Sequence, residues 1–310
     1  MMKRFLSIAA VAAVCALSAS AQTRSAEDYL RRYGELTARV GLDGAGVGSL
    51  ISRWEADYPD DVSMLEAKFV YYYSSSRSSQ VIRLDKDRYL GNEPVLSLKD
   101  SLDNPINYFE DYIYDDEKFG LADAAIEKAI RLAPDRLDLR FSRISTMMSF
   151  EKESPDMALA ALKQLIDYNY ISKPKWTYSG ESVDNSDFCQ YMQDFCVAFY
   201  HIGSPSSREA FREISEKMSK YNPKNTSFMD NLGSYSMLKK DNKTALKYFN
   251  KVLKLSPSDM TALKNCILIA RSSKDVKMEK KYLAMMARNG ETEIDRKGAE
   301  MRLESLGAKK

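Results

Sequence analysis

Histidine is almost absent from this sequence: there is one, His201, in 310 residues. Zinc sites are built from sets of histidine and cysteine, so a lone histidine leaves no ligand set for a metal. It also leaves a catalytic nucleophile without its commonest base. Cysteine is scarce too, at four residues, one of which (Cys15) lies in the N-terminal apolar run. On one helix Cys189 and Cys196 would sit about 10 Å apart along the axis, beyond the reach of a disulfide. With Cys266 they form an odd set, so buried, unpaired thiols are expected. Thirteen glycines and nine prolines are few for this length, which speaks against a turn-rich β fold. No charge sign dominates, the formal net charge being +2. Without a basic excess, general binding to nucleic acid or to an anionic membrane is not expected.

Long apolar runs are missing as well. The one candidate, Phe5 to Leu17, falls short of the roughly 20 residues that span a bilayer. It follows Lys3 and Arg4 and precedes Ala19-Ser20-Ala21. A basic start, a short apolar stretch and small residues before a cut site predict a secretory signal peptide over residues 1–21. Val14 stands before Cys15, where lipoprotein cleavage wants a small side chain, so lipid anchoring there is not expected. The chain is therefore read as exported, either periplasmic or secreted. Beyond residue 21 there are 44 basic and 44 acidic residues, unevenly placed. Residues 217–281 hold 15 bases against 5 acids, and residues 22–216 hold 23 against 34. Solvated helix faces explain such a bias, or one end of an elongated molecule meets an acidic partner.

What the sequence does contain is a repeated amphipathic helix that stops on proline. In "KDNKTALKYFNKVLKLSP", residues Ala245, Tyr248, Phe249, Val252 and Leu255 share one helical face, with Asp241 as N-cap and Pro257 as stop. The stretch before it, with Met229, Leu232, Tyr235 and Leu238 apolar, makes a second helix, and a short break joins the two as a hairpin. Gly233 lies inside that helix at a cost of about 1 kcal/mol against alanine, which makes sense where another helix packs closely. Pro59, Pro134 and Pro223 end comparable helices, the last 34 residues before Pro257.

This window resembles the tetratricopeptide repeat, a 34-residue helix–turn–helix unit, through Leu232, Gly233, Ala245, Phe249 and Pro257. Met229, Ser236 and Val252 depart from its pattern. "LADAAIEKAIRLAPD" and "VGSLISRWEADYPDD" repeat the second half of the unit, and Ser154 with Pro155 opens another helix. The resemblance implies an all-α solenoid over residues 22–310: a right-handed superhelix of about six helix pairs plus a charged C-terminal cap helix. Two stretches break the alternation. Residues 169–185 read as a polar loop. Residues 80–112 read as a small β-hairpin or meander, with turns at Gly91-Asn92 and Asp103-Asn104-Pro105. For Pro105–Tyr114 the strand is preferred to a helix because it keeps the helix pairs alternating. Export and an embedded β insertion together resemble exported repeat proteins of Bacteroidetes.

Other motifs have plain structural readings. "GLDGAGVGSL" lacks the strand and the Lys-Ser/Thr pair of a phosphate loop, so it is an inter-helix turn. Asp115-Asp116-Glu117 suits a helix start, and Tyr71-Tyr72-Tyr73 is expected to pack against the insertion. The resemblance implies a non-catalytic protein-binding scaffold of the cell envelope, with no cofactor. A peptide or partner protein would lie in a concave groove lined by the first helix of each pair. The matching positions are Asp138, Phe141, Ser145 and Met148; Ser227, Asp230, Ser234 and Met237; and Thr261, Lys264, Leu268 and Arg271. Of these, Phe141, Met148, Ser227, Asp230, Ser234, Met237, Lys264 and Arg271 are the candidate partner contacts. The alternative is an exported glycan-binding protein, suggested by Trp176 and many tyrosines.

Overall fold

The structure, a computed structural model, describes residues 24–307; the expected signal peptide lies outside them. Among the described residues there are thirteen helices, and none is long and apolar enough to cross a membrane. They run as α1 (Ala26–Val40), α2 (Val47–Asp57), α3 (Val62–Ser76), α4 (Asp116–Leu132), α5 (Leu137–Glu151), α6 (Asp156–Ser172) and α7 (Asn185–Ile202). The series continues with α8 (Pro205–Tyr221), α9 (Thr226–Leu238), α10 (Asn242–Leu255), α11 (Met260–Ser272), α12 (Val276–Asn289) and α13 (Glu293–Gly307). The main helix–helix contacts join elements one or two places apart in this order. That is a tetratricopeptide-like stack of six antiparallel pairs closed by α13, in which each pair buries its apolar face against its neighbours.

Local chemistry sets the boundaries. Asp61, Asp115, Asp241, Asp259 and Asp275 each accept a backbone N–H from the first turn of the helix they precede, relieving donors that have no intrahelical partner. The helices α2, α4, α8 and α10 end two residues before Pro59, Pro134, Pro223 and Pro257, as expected where proline denies the next turn its hydrogen bond. The expected Ser154 cap is not used. Helix α6 begins one residue later, and the Glu151 carboxylate accepts from Met157 N and Ala158 N instead.

The core is continuous. Trp54, Met64 and Ile126 anchor its first part, Leu162, Phe188, Phe199 and Ile214 its middle, and Phe249, Leu263 and Tyr282 its end. The thiols of Cys189, Cys196 and Cys266 are free and buried within it. Burial pushes the Cys196 and Cys266 thiols up to about 12, so neither ionises at neutral pH.

Two β elements interrupt the stack. Between α3 and α4 lie β1 (Arg77–Leu84), β2 (Leu96–Lys99) and β3 (Pro105–Tyr114). The strand reading of Pro105–Tyr114 is the observed one. The order is β1-β3-β2, all antiparallel, rather than a simple meander; β3, the longest and most apolar strand, takes the centre. The sheet starts before residue 80 because the ladder runs straight out of the helices, Asp115 N donating to Ser76 O at 2.7 Å. Within the expected loop 169–185, α6 extends to Ser172 and a two-residue hairpin follows, β4 (Thr177–Tyr178) with β5 (Glu181–Ser182). That hairpin fixes Trp176, whose indole donates to Asn169 Oδ1 at 2.8 Å.

Candidate functional site

The three-stranded sheet does not project into solvent. It folds back along the stack and docks on later repeats. Lys152, at the C-cap of α5, reaches Asp111 on β3 at 2.8 Å, and Lys86 reaches Glu153 at 2.6 Å. Asp111 is 5% exposed. Burial works against its charge, but Lys152 and Gln80 hold the carboxylate below its ordinary range. Tyr89, in the loop after β1, packs edge-on to Phe109 and donates to Asp111 Oδ1 at 3.2 Å. Gly91, at φ +84°, brings this loop against the end of α7, where an added Cβ would lie 3.0 Å from His201 Cβ. A side chain there is strained in backbone and crowded at once.

Docking the sheet encloses a cavity of about 530 Å³ between β3, the end of α3, α5 and α7, within the size range of ligand sites. Met148, Phe195, Ala198 and Ile202 supply apolar lining, and Ser145, Ser149 and Asp194 supply polar lining. Tyr73, Tyr112 and Tyr114 form an aromatic wall with Arg77. The Arg77 guanidinium lies 5.2 Å from the ring centres of both Tyr73 and Tyr112, a cation–π sandwich that orients it. Tyr114 stacks with Tyr73 and meets Phe119 and Phe150 edge-on. Burial and the neighbouring Tyr73 hydroxyl raise its phenol well above the ordinary value, so it stays neutral. Arg77 has no carboxylate within ion-pair distance among the described residues, although Glu110 and Asp194 line the same cavity. No histidine or cysteine lines the cavity, so its side chains offer shape, apolar surface, hydroxyls and one oriented cation.

The positions implied by the repeat resemblance divide sharply. Ser145 and Met148 line the cavity. Phe141 does not: it is buried beneath Tyr178, Tyr191 and Phe195. Asp138 is tied to Arg136. Ser227 is exposed, Ser234 half-buried, and Met237 packs against the C-terminal core. Asp230 is not a groove residue, being 6% exposed with one oxygen lacking any partner. Lys264, Leu268 and Arg271 line a separate cleft near α13, where Asp295 meets Lys264 at 3.3 Å and Glu279 meets Arg271 at 2.7 Å. Trp176 is buried and carries Arg140 against its face, so it is no exposed sugar platform. The residues that sequence reasoning missed are Arg77, Tyr112, Tyr114 and Phe195. Tyr73 does pack against the insertion, as the tyrosine run suggested.

Replacing residues 80–112 by a short Gly/Ser linker should leave most of the helical circular dichroism intact, because closure entropy grows only with the logarithm of loop length. The cavity should vanish with the sheet. Loss of the helical signal would mean that the stack depends on the insertion.

No family model matches the chain, and no curated protein matches it. Among solved structures, residues 41-end of MamA from Desulfovibrio magneticus RS-1 are 13% identical, over 76% of this chain and 97% of that one, with a TM-score of 0.34. PilF from Pseudomonas aeruginosa is 9% identical over 89% and 97%, with a TM-score of 0.35. The flexible tandem repeat domain of a bacterial cellulose synthase is 14% identical over 92% and 98%, at 0.30. Scores this low align no groove, so the chemistry of the site rests on its own residues.

Proposed function

We propose that this chain is a non-catalytic interaction scaffold of the bacterial envelope, exported by its N-terminal segment, which receives an extended segment of a protein partner in the cavity beneath the docked sheet. The observation that carries this reading is the pairing of an apolar lining with one oriented, uncompensated guanidinium. An apolar partner side chain enters between Met148, Phe195 and Ile202, and an acidic group nearby meets Arg77. The ring faces of Tyr73 and Tyr112 that would stack on a sugar are occupied by Arg77, so glycan binding loses its support. Ser227 and Ser234, further along the stack, are left as secondary contacts.

A photo-crosslinking amino acid at Met148, and separately at the exposed Lys251 on α10, tests the reading in intact cells. A protein adduct from Met148 and none from Lys251 is the expected result. Equal adducts from both positions, or recovery of oligosaccharide alone, would sink it. Once a partner is in hand, Arg77→Ala should weaken it about tenfold, the equivalent of ~1.4 kcal/mol.

A further inference from the structure

The sheet that walls the cavity has an open edge. Strand β1 is eight residues long and carries no proline or bulge; it pairs with β3 on one side, and among the described residues no strand pairs with the other. The parity of the ladder says which backbone groups face outward. Because Asp115 N donates to Ser76 O, the pairs Ser78↔Ile113, Gln80↔Asp111 and Ile82↔Phe109 are the hydrogen-bonded ones. The N–H and C=O groups of Arg77, Ser79, Val81 and Arg83 therefore point away from β3, and none has a backbone partner. The side chains of these four residues share one face with Tyr108, Glu110, Tyr112 and Tyr114, their cross-strand partners. Val81 is 64% exposed. Arg83, like Arg77, has no carboxylate within ion-pair distance. Asp100 feels Arg83, but its carboxylate is engaged by Asn104 and Leu102 in its own turn.

From this geometry we infer that β1 captures an extended segment of a partner protein as a fourth, antiparallel strand, whose side chains opposite Arg83, Val81 and Arg77 are acidic, apolar and acidic. Strand addition satisfies the outward backbone groups, and alternate side chains give the specificity. Opposite charges directly across an antiparallel pair stabilise it, and like charges destabilise it. That rule also disfavours a second copy of this chain. Pairing β1 with itself about Gln80 sets Arg77 opposite the copy's Arg83, twice over. The two arginines thus guard the edge against self-pairing and select an acidic strand. This surface lies outside the cavity and does not depend on the cavity being filled.

The test uses the full exported chain and a synthetic ten-residue peptide with glutamate at its second and eighth positions, valine at the fourth and threonine at the sixth. Hydrogen exchange at the amides of Ser79, Val81 and Arg83 should slow at least tenfold with peptide, while Gln80 and Ile82, already bonded to β3, change little. Val81→Pro removes one outward N–H and leaves the β1–β3 ladder whole; it should weaken the peptide at least tenfold at an unchanged melting temperature. Arg83→Glu, which keeps every backbone bond, should do the same and restore binding to a peptide with lysine at its second position. Full binding to both variants would overturn the inference. So would protection confined to α5 and α7, which assigns the peptide to the cavity, or protection of the β1 edge in the free chain with a dimer mass, which assigns the edge to a second copy.

Discussion

Gly233→Leu is expected to cost about 3 kcal/mol of stability and to lower the melting temperature of the C-terminal repeats by several degrees. Gly233 sits within α9, where a β-carbon would stand 2.5 Å from the ring of Phe249 on α10 and 2.7 to 2.9 Å from two further ring atoms. Phe249 is fully buried, so its ring has nowhere to swing. Intrinsic helix propensity points the other way, since leaving glycine gains up to about 1 kcal/mol in a helix interior. Overpacking at sub-van-der-Waals distance is the larger effect, so even Gly233→Ala should lose stability. Pairing Gly233→Ala with Phe249→Leu, which frees the space, should recover part of the loss as a favourable coupling. A denaturation midpoint for Gly233→Leu equal to that of wild type would show that α9 and α10 do not cross there.

Asp230→Asn is expected to stabilise the protein at pH 8 and to leave it nearly unchanged at pH 4. Burial, and then the neighbouring Asp259, push the Asp230 carboxyl from an ordinary 3.8 up to about 8. The folded chain therefore holds a proton that the unfolded chain has released, throughout the window between those two values. Stability falls as pH rises through that window, by at most about 1.4 kcal/mol per unit. Below it both states are protonated and the penalty is absent; above it the penalty is complete. Asp259 already accepts from Ala262 N as the cap of α11, so a protonated Asp230 has an acceptor beside it and an ionised one has a rival. Asparagine keeps the shape and a donor and cannot ionise. The wild-type melting temperature should slope downward from pH 5 to pH 8 relative to the variant, with a gap at pH 8 of about 2 kcal/mol or more. Parallel pH profiles would show that Asp230 titrates normally.

Asp230 also marks where sequence reading stopped. Its place in the 34-residue unit put it in the groove, yet the approach of α11 to α9 covers it. Periodicity finds a helix and its buried stripe, but the stripe widens wherever the next pair packs closely. The stack itself was legible because its signals are local: Asp241 before α10, Pro257 after it, and Ala245, Phe249 and Val252 on one face between them. The sheet was half legible. Alternation and turn residues marked its strands, but the placing of β3 between β1 and β2 is a long-range outcome. The cavity was not legible beyond Ser145 and Met148. It exists because Asp111 pairs with Lys152 and Gly91 lies against His201, contacts far apart in the chain that no spacing rule encodes. Arg77 had no visible role until β1 and α3 placed Tyr112 and Tyr73 on either side of it.

The claim that the cavity under the sheet is where this scaffold takes its partner is tested most directly by filling it. Ser145 is exposed on α5 and lines the cavity, so Ser145→Trp adds bulk there without displacing any buried group. With the partner identified by crosslinking at Met148, isothermal calorimetry on wild type and Ser145→Trp at equal melting temperature gives the answer. The account predicts at least a tenfold loss of affinity in the filled variant and none in a Lys251→Trp control. Undiminished binding to Ser145→Trp would contradict it.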